Sequence, residues 1–262
     1  MLSIRNATFA YSKKAVFRDL CLETDEGGFY CILGPNGCGK TTLLKCLAGI
    51  LPLNQGRVYL NNTDLSQLHR NSIAKLIGYV MQEQETVFPF TVQQMVAVGR
   101  APYVGLWASP SAEDMTIVEE VIEQIGLTKL RDKKYIELSG GEKQLVMIAR
   151  VLAQKPKVLL MDEPASHLDF KNQERVMQLV KKLSLSGITV IMTTHFPNHA
   201  FAYADRVAII HEGNILADGP TKSVMTEENL STAYEMPISI LTVKGQNNQE
   251  HNFCVSTQKA VG

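Results

Sequence analysis

The chain has 262 residues and a mass of 29.0 kDa, enough for one large domain or two small ones with a sizeable hydrophobic core. Lys+Arg 26 balance Asp+Glu 26, so the basic footprint of nonspecific nucleic-acid binding is missing and nucleic acid is disfavoured as a partner. The longest stretch without formal charge, Leu183 to Ala204, is broken by Ser184, Ser186, Thr189, Thr193, Thr194, His195 and Asn198, too polar to cross lipid.

Met1 to Asn6 shows no basic, apolar and cleavage segments in succession, so the chain is expected to stay in the cytoplasm. Cys21, Cys31, Cys38, Cys46 and Cys254 form no close pair and are expected as reduced thiols. Apolar alternation from Leu2 to Phe9 and the run Phe29 to Leu33 predict two strands, the second feeding a glycine-rich turn. Leu43, Leu44, Leu47 and Ile50 recur at helical spacing up to Pro52, and Gly56 to Leu60 then predicts a strand before the Asn61-Asn62 turn. Ile77 to Met81 reads as another short strand. From about Thr91 to Lys155 the patterns are helical, around Val92 to Val98, Met115 to Ile125 and Gln144 to Leu152, which predicts a helical insertion. Alternation of strand and helix then resumes with Val158 to Met161, a helix face of Val176, Leu179, Val180 and Leu183, and strands at Ile188 to Thr193 and Val207 to Ile210. Beyond Thr221, short helical patterns lead to Ile238 to Val243 and Phe253 to Val255, separated by polar residues, so a terminal hairpin is expected.

Three segments carry chemistry. Gly34, Pro35, Asn36, Gly37, Cys38, Gly39, Lys40 and Thr41 fit the phosphate-binding loop G-x-x-x-x-G-K-[ST] between a strand and a helix that continues through Thr42. There the backbone amides curl around phosphate oxygens, Lys40 reaches the β- and γ-phosphates, and Thr41 ligates Mg²⁺. Val158 to Glu163 is an apolar strand ending in two carboxylates with different tasks. Asp162 holds the metal through water, and Glu163 accepts a proton from the attacking water. Ser139 and Glu142 have the spacing of a capping box, and Gly140 and Gly141 leave the helix-start amides bare for an anion. Because Lys40 already holds one γ-phosphate, these donors are expected to serve a nucleotide on another copy. A rival reading pairs His195 with His199 as metal ligands, but Pro197 interrupts the spacing and no third ligand follows.

In this order, Gly34 to Thr41, Leu138 to Glu142 and Val158 to Glu163 resemble the ATP-binding cassette of ABC transporters over roughly residues 1–235. The resemblance implies an α/β fold: a RecA-like P-loop core, an antiparallel β subdomain, and a helical subdomain inserted at about 84–155. Residues 236–262 are expected to form an extension, a hairpin and tail. It further implies that Tyr11 stacks on adenine with Val16 beside the base or ribose, that Gln82 senses Mg²⁺ and the water, and that Ser166 to Asp169 link two sites across a dimer. His195 is implied as the switch histidine that bonds the γ-phosphate. Cys38 replaces the usual serine, which places a thiol near amides and Lys40 that are expected to lower its pKa. Lys143 stands where Gln or Arg is frequent, and Phe196-Pro197 where an Asp is common.

Phe88 to Val92 and Val98 to Tyr103 are similar to importers of iron chelates, haem and cobalamin, in which the ATPase is a separate chain. The similarity implies ATP and Mg²⁺ as cofactors, a homodimer beneath two transmembrane permease subunits, and an extracytoplasmic substrate-binding protein as indirect partner. Phe88, Phe90, Tyr103 and Trp107 are expected at a groove for a permease helix. Two other readings stay open: a soluble ABC ATPase of cofactor assembly, and a nucleotide-binding module without turnover.

Overall fold

Strands β1 (Leu2–Tyr11), β2 (Lys14–Glu23) and β3 (Phe29–Leu33) lead into helix α1 (Lys40–Leu47) of the computed structural model, which describes residues 1–12, 14–82, 89–105, 108–245 and 250–257. Then come β4 (Gln55–Leu60), β5 (Thr63–Asp64), α2 (Arg70–Leu76) and β6 (Ile77–Val80). Helices α3 (Val92–Ala97), α4 (Ala112–Ile125) and α5 (Gly140–Leu152) form the insertion. The core resumes with β7 (Val158–Asp162), α6 (Phe170–Leu185), β8 (Thr189–Thr194), α7 (Pro197–Tyr203), β9 (Arg206–His211) and β10 (Asn214–Pro220). Short helices α8 (Thr221–Val224) and α9 (Glu227–Tyr234) precede the antiparallel hairpin of β11 (Ile238–Lys244) and β12 (Glu250–Ser256).

One sheet has the order β10-β9-β3-β8-β7-β6, parallel except for the edge strand β10; the other, β2-β1-β4-β5, is antiparallel. Strand β3 explains why its sequence is apolar without alternation. Phe29, Cys31 and Leu33 face one core, with the inserted helices and α6, whereas Tyr30 and Ile32 face the other, with α1 and the antiparallel sheet.

The sequence pattern predicts no strand at β2. Its buried residues Phe17, Leu20 and Leu22 are spaced by three and then two, and Asp19 at φ 47° marks a change of register against β1, so the period of two is interrupted. Helix α1 stops at Leu47, short of the expected Ile50, because Gly49 at φ 68° takes a left-handed conformation no helix can continue.

Each inserted helix opens on a capping box: Thr91 with Gln94, Ser111 with Asp114, and Ser139 with Glu142. Asp114 does two jobs, since it also accepts from buried Arg100 Nε at 2.8 Å, while Arg100 Nη1 donates to the Ala153 carbonyl at 2.6 Å. The Arg100 hydrogen bond, with those of Ser111, pulls the Asp114 carboxyl down to about 2. A depressed carboxyl stabilises the fold above its unfolded value and loses that contribution as pH falls through the folded one. Asp114→Asn is therefore expected to lower the melting temperature by several degrees at pH 7. Below about pH 4 its melting temperature should fall less steeply than that of the wild type, as followed by calorimetry.

Candidate functional site

Parallel pairing of β3, β8, β7 and β6 puts four carboxyl ends on one edge. Leu33 lies opposite Thr194, Asp162 opposite Thr193, and Val80 opposite Met161. The residues that follow these ends converge on a cleft of about 850 Å³ lined by Tyr11, Val16, Asn36 to Thr42, Gln82, Glu163 and His195. This is the crevice beyond the strand ends where open α/β sheets bind ligands.

The phosphate loop is held open by glycine. At Gly39, φ is 104° and a Cβ would come within 2.7 Å of Val16 Cγ1; at Gly34 it would meet the Ile210 carbonyl oxygen at 2.5 Å. Lys40 begins α1 and is buried, with Nζ donating to the carbonyls of Gly34 and Pro35, each at 2.9 Å, and 3.4 Å from Glu163 Oε1. Tyr11 lies at the cleft rim, 53% exposed, its ring edge-on to Phe9 at 4.9 Å. An aromatic ring this exposed at the rim suits stacking on a flat ligand.

Asp162 is 2% exposed, and a buried carboxylate must be hydrogen-bonded. Oδ1 accepts from Thr193 Oγ1 at 2.7 Å and Thr41 Oγ1 at 3.1 Å, and Oδ2 accepts from Tyr79 Oη at 3.3 Å. Burial and the Asp162 charge push the Tyr79 hydroxyl upward, so it remains a donor. Glu163 takes a left-handed φ of 46°, unusual for a residue with a side chain, and its amide donates to Thr193 Oγ1 at 3.1 Å. His195 Nδ1 is 2.7 Å from Glu163 Oε2. In an adjoining cavity that Lys45 and His167 also line, the Thr41 hydroxyl, the Asp162 carboxylate and the amide oxygen of Gln82 supply oxygen donors, which suit Mg²⁺.

Ser139, Gly140, Gly141 and Asp169 do not line this cleft; they form a second cluster. Ser139 Oγ and the Glu142 carboxylate cap α5 reciprocally, and Asp169 caps α6 by accepting from the Asn172 amide at 2.8 Å. A Cβ on Gly141 would lie 2.3 Å from Asn172 Cγ, so bare backbone at α5 is what allows the two helix starts to touch.

Sequence reasoning missed Thr193 and Tyr79, which serve Asp162, and Glu212, which lines the cleft together with His167 of the segment expected to link two sites. Two threonines closing an apolar strand were a usable signal for the first; Tyr79 reads as an ordinary strand aromatic. The expectation for Cys38 is corrected. Burial pushes its thiol up and outweighs Lys40 and the backbone amides, which act downward. Both His195 and His199 pack on the Phe196 ring, at 4.0 and 5.4 Å between centroids. Phe88 and Trp107 lie outside the described residues, whereas Phe90 and Tyr103 are 40% and 41% exposed. Tyr103 Oη donates to the Gln154 carbonyl at 2.9 Å, beside a groove of about 420 Å³ that Ile50, Ile73, Met81, Met147 and Gln154 line. Among the described residues no helix is long and apolar enough to cross a membrane.

A phosphate cradle facing a strand that ends in two acids defines a P-loop ATPase. The ABC transporter family model matches residues 17–166. An ATP-binding protein of Helicobacter pylori, named for probable iron chelatin transport, is 35% identical over 243 residues, 92% of this chain and 95% of its own. The molybdate import ATP-binding protein MolC of Haemophilus influenzae is 33% identical over 239 residues, 90% of this chain and 89% of its own. A solved structure described as an inward-facing ABC transporter of metal-chelate type superposes with a TM-score of 0.88 at 31% identity, covering 98% of each chain. The chain belongs to the ABC transporter family. It is an ATP-binding cassette with ATPase activity.

The Cys38 correction is open to measurement by mass spectrometry of iodoacetamide-treated protein. Alkylation at Cys38 should still be rising with pH at pH 9, since only the thiolate reacts and burial holds the thiol above its ordinary value. A plateau reached by pH 8 would contradict the role given to burial.

Proposed function

We propose that this ATPase energises an importer of a metal chelate, such as an iron chelate, haem or cobalamin, from the cytoplasmic face of the membrane. Residues 1–235 are the ATPase domain, with the helical subdomain at about 84–155, and residues 236–262 are an extension. The observation that carries the reading is the separation of two half-sites in one chain: the cleft with Lys40, Glu163 and His195, and the Ser139 and Asp169 cluster outside it. Two copies placed head to tail would complete each cleft with the other's helix start.

Within the cleft Tyr11 and Val16 hold the adenosine, and the amides of residues 34 to 42 surround the phosphates. Lys40 leaves the Gly34 and Pro35 carbonyls for the β- and γ-phosphates, which frees Glu163 Oε1 to take a proton from the attacking water. His195, hydrogen-bonded to Glu163, orients that water and the γ-phosphate. Thr41, Asp162 and Gln82 would hold Mg²⁺, which when bound would neutralise phosphate charge. Ser139, Gly140 and Gly141 of the second copy bind the γ-phosphate from the far side, and Asp169 links the two sites. Binding draws the copies together and hydrolysis releases them, the differential affinity that drives a permease between states.

The importer branch is supported by the iron chelatin relative and by the metal-chelate type structure. The MolC likeness, at comparable identity, fits a cassette whose cargo is chosen by other subunits. We assign these as two permease chains and an extracytoplasmic binding protein. The groove with half-exposed Ile50 and with Met81, the neighbour of Gln82, suits a permease helix, so that a change at the γ-phosphate moves its floor.

Two measurements test this. Lys40→Ala should weaken MgATP binding in calorimetry, while Glu163→Gln should keep binding and lose roughly 10²-fold in phosphate release; near-normal turnover in the latter would remove Glu163 from its role. In light scattering, MgATP should shift Glu163→Gln from monomer to dimer mass, and an added Ser139→Arg should block the shift. A monomer at saturating ATP would argue against the shared site.

A further inference from the structure

Ser166 and His167 follow Glu163 and reach the metal side of the cleft. His167 lines both the cleft and the adjoining cavity of about 410 Å³, which Thr41, Lys45, Tyr79, Gln82 and Asp162 share. Gln82 Nε2 is 3.5 Å from Ser166 Oγ and 3.5 Å from His167 Nε2. Ser166 Oγ donates its single proton to the Glu163 carbonyl at 3.0 Å, so toward Gln82 it can only accept. An amide nitrogen donates and never accepts, so His167 Nε2 must accept as well, with the ring proton on Nδ1. Both N–H groups of Gln82 are then engaged by one loop, and Oε1 is the end of the amide left for a cation.

The terminal torsion of a glutamine is soft and nearly two-fold, so an unclamped amide presents NH₂ as readily as oxygen. An NH₂ group turned to a divalent cation repels it. Each clamp contact, at 3.5 Å, is long for a hydrogen bond, and the two act on the same nitrogen.

We propose that His167 is a positioning residue: it holds Gln82 Nε2 so that Oε1 turns into the cavity shared with Thr41 and Asp162, where a divalent cation would be held. The proposal rests on the reading of Gln82 as a cation ligand. It says that part of the metal affinity of this site comes from a side chain that never touches the metal.

Mn²⁺ is a suitable probe because its binding can be read by electron paramagnetic resonance without turnover, in full-length Glu163→Gln protein saturated with ATP. Adding His167→Ala should weaken Mn²⁺ binding about tenfold, and His167→Gln, which keeps an acceptor at similar reach, should restore it. Gln82→Ala should weaken it at least as much, and the Gln82→Ala, His167→Ala pair should be no weaker than Gln82→Ala alone. ATP binding in EDTA should be the same with and without His167→Ala or His167→Gln. Unchanged Mn²⁺ affinity in His167→Ala beside a loss in Gln82→Ala would overturn the positioning role and leave Gln82 as ligand. Failure of His167→Gln to rescue would overturn it too, by reducing His167 to loop packing. Unchanged affinity in Gln82→Ala would instead remove the ligand reading itself, and the proposal with it.

Discussion

The architecture turns on one buried negative charge. Asp162 sits in a nearly dry interior at the end of β7, where a carboxylate persists only if hydrogen bonds replace its water. Its donors come from three other elements: Thr41 from α1, Tyr79 from β6 and Thr193 from β8. Satisfying that charge thus fixes the helix that follows the phosphate loop, the strand before Gln82 and the strand before His195 relative to one another. Thr193 is shared with the Glu163 amide, so the two acids are set by the same hydroxyl. Loss of any one donor would remove a hydrogen bond that ties one of these elements to the carboxylate.

Around this anchor the reactive groups hold each other in check. Lys40, Glu163 and His195 form a chain of contacts at 3.4 and 2.7 Å, with Lys40 also bound to loop carbonyls. The Glu163 backbone is held left-handed, at a cost on the order of 1 to 2 kcal/mol, and persists because its amide and carboxylate are both bonded. Under the proposed mechanism phosphate oxygens compete for the same ammonium, so that nucleotide entry would release the acid, and a neutral ligand would leave Lys40 where it is.

Much of the site was legible in the chain because its chemistry is contiguous. Gly34 to Thr41, Leu138 to Glu142 and Val158 to Glu163 each carry their geometry within a few residues, so motif and structure coincide. What was not legible depends on register. Thr193 and Tyr79 act on Asp162 across strand pairs, and nothing near them in sequence announces it. Strand β2 hid behind a bulge at Asp19, and β10 behind an edge position that leaves half its residues exposed and ends in Gly219-Pro220. The Cys38 expectation failed for another reason: charges can be counted in a sequence, but the depth at which a thiol is buried cannot. The touching starts of α5 and α6, through Gly141 and Asn172, were equally out of reach, since the contact exists only after the insertion has folded back on the core.

Strand β3 has a consequence for the order in which the protein is made. Every residue of this strand is buried, and among the described residues it pairs with β8 and β9. Just before it, the Gly27 amide bonds to Thr189, 162 residues further on. At a ribosome adding about 5 to 20 residues per second, the apolar run and its phosphate loop therefore wait many seconds for both neighbours. During that wait, Phe29 to Leu33 is an unpaired hydrophobic strand with two open edges, while β1, β2 and β4 can already pair among themselves. The antiparallel subdomain, able to fold early against α1, is thus placed to shield one face of β3 until the carboxyl-terminal half of the cassette arrives.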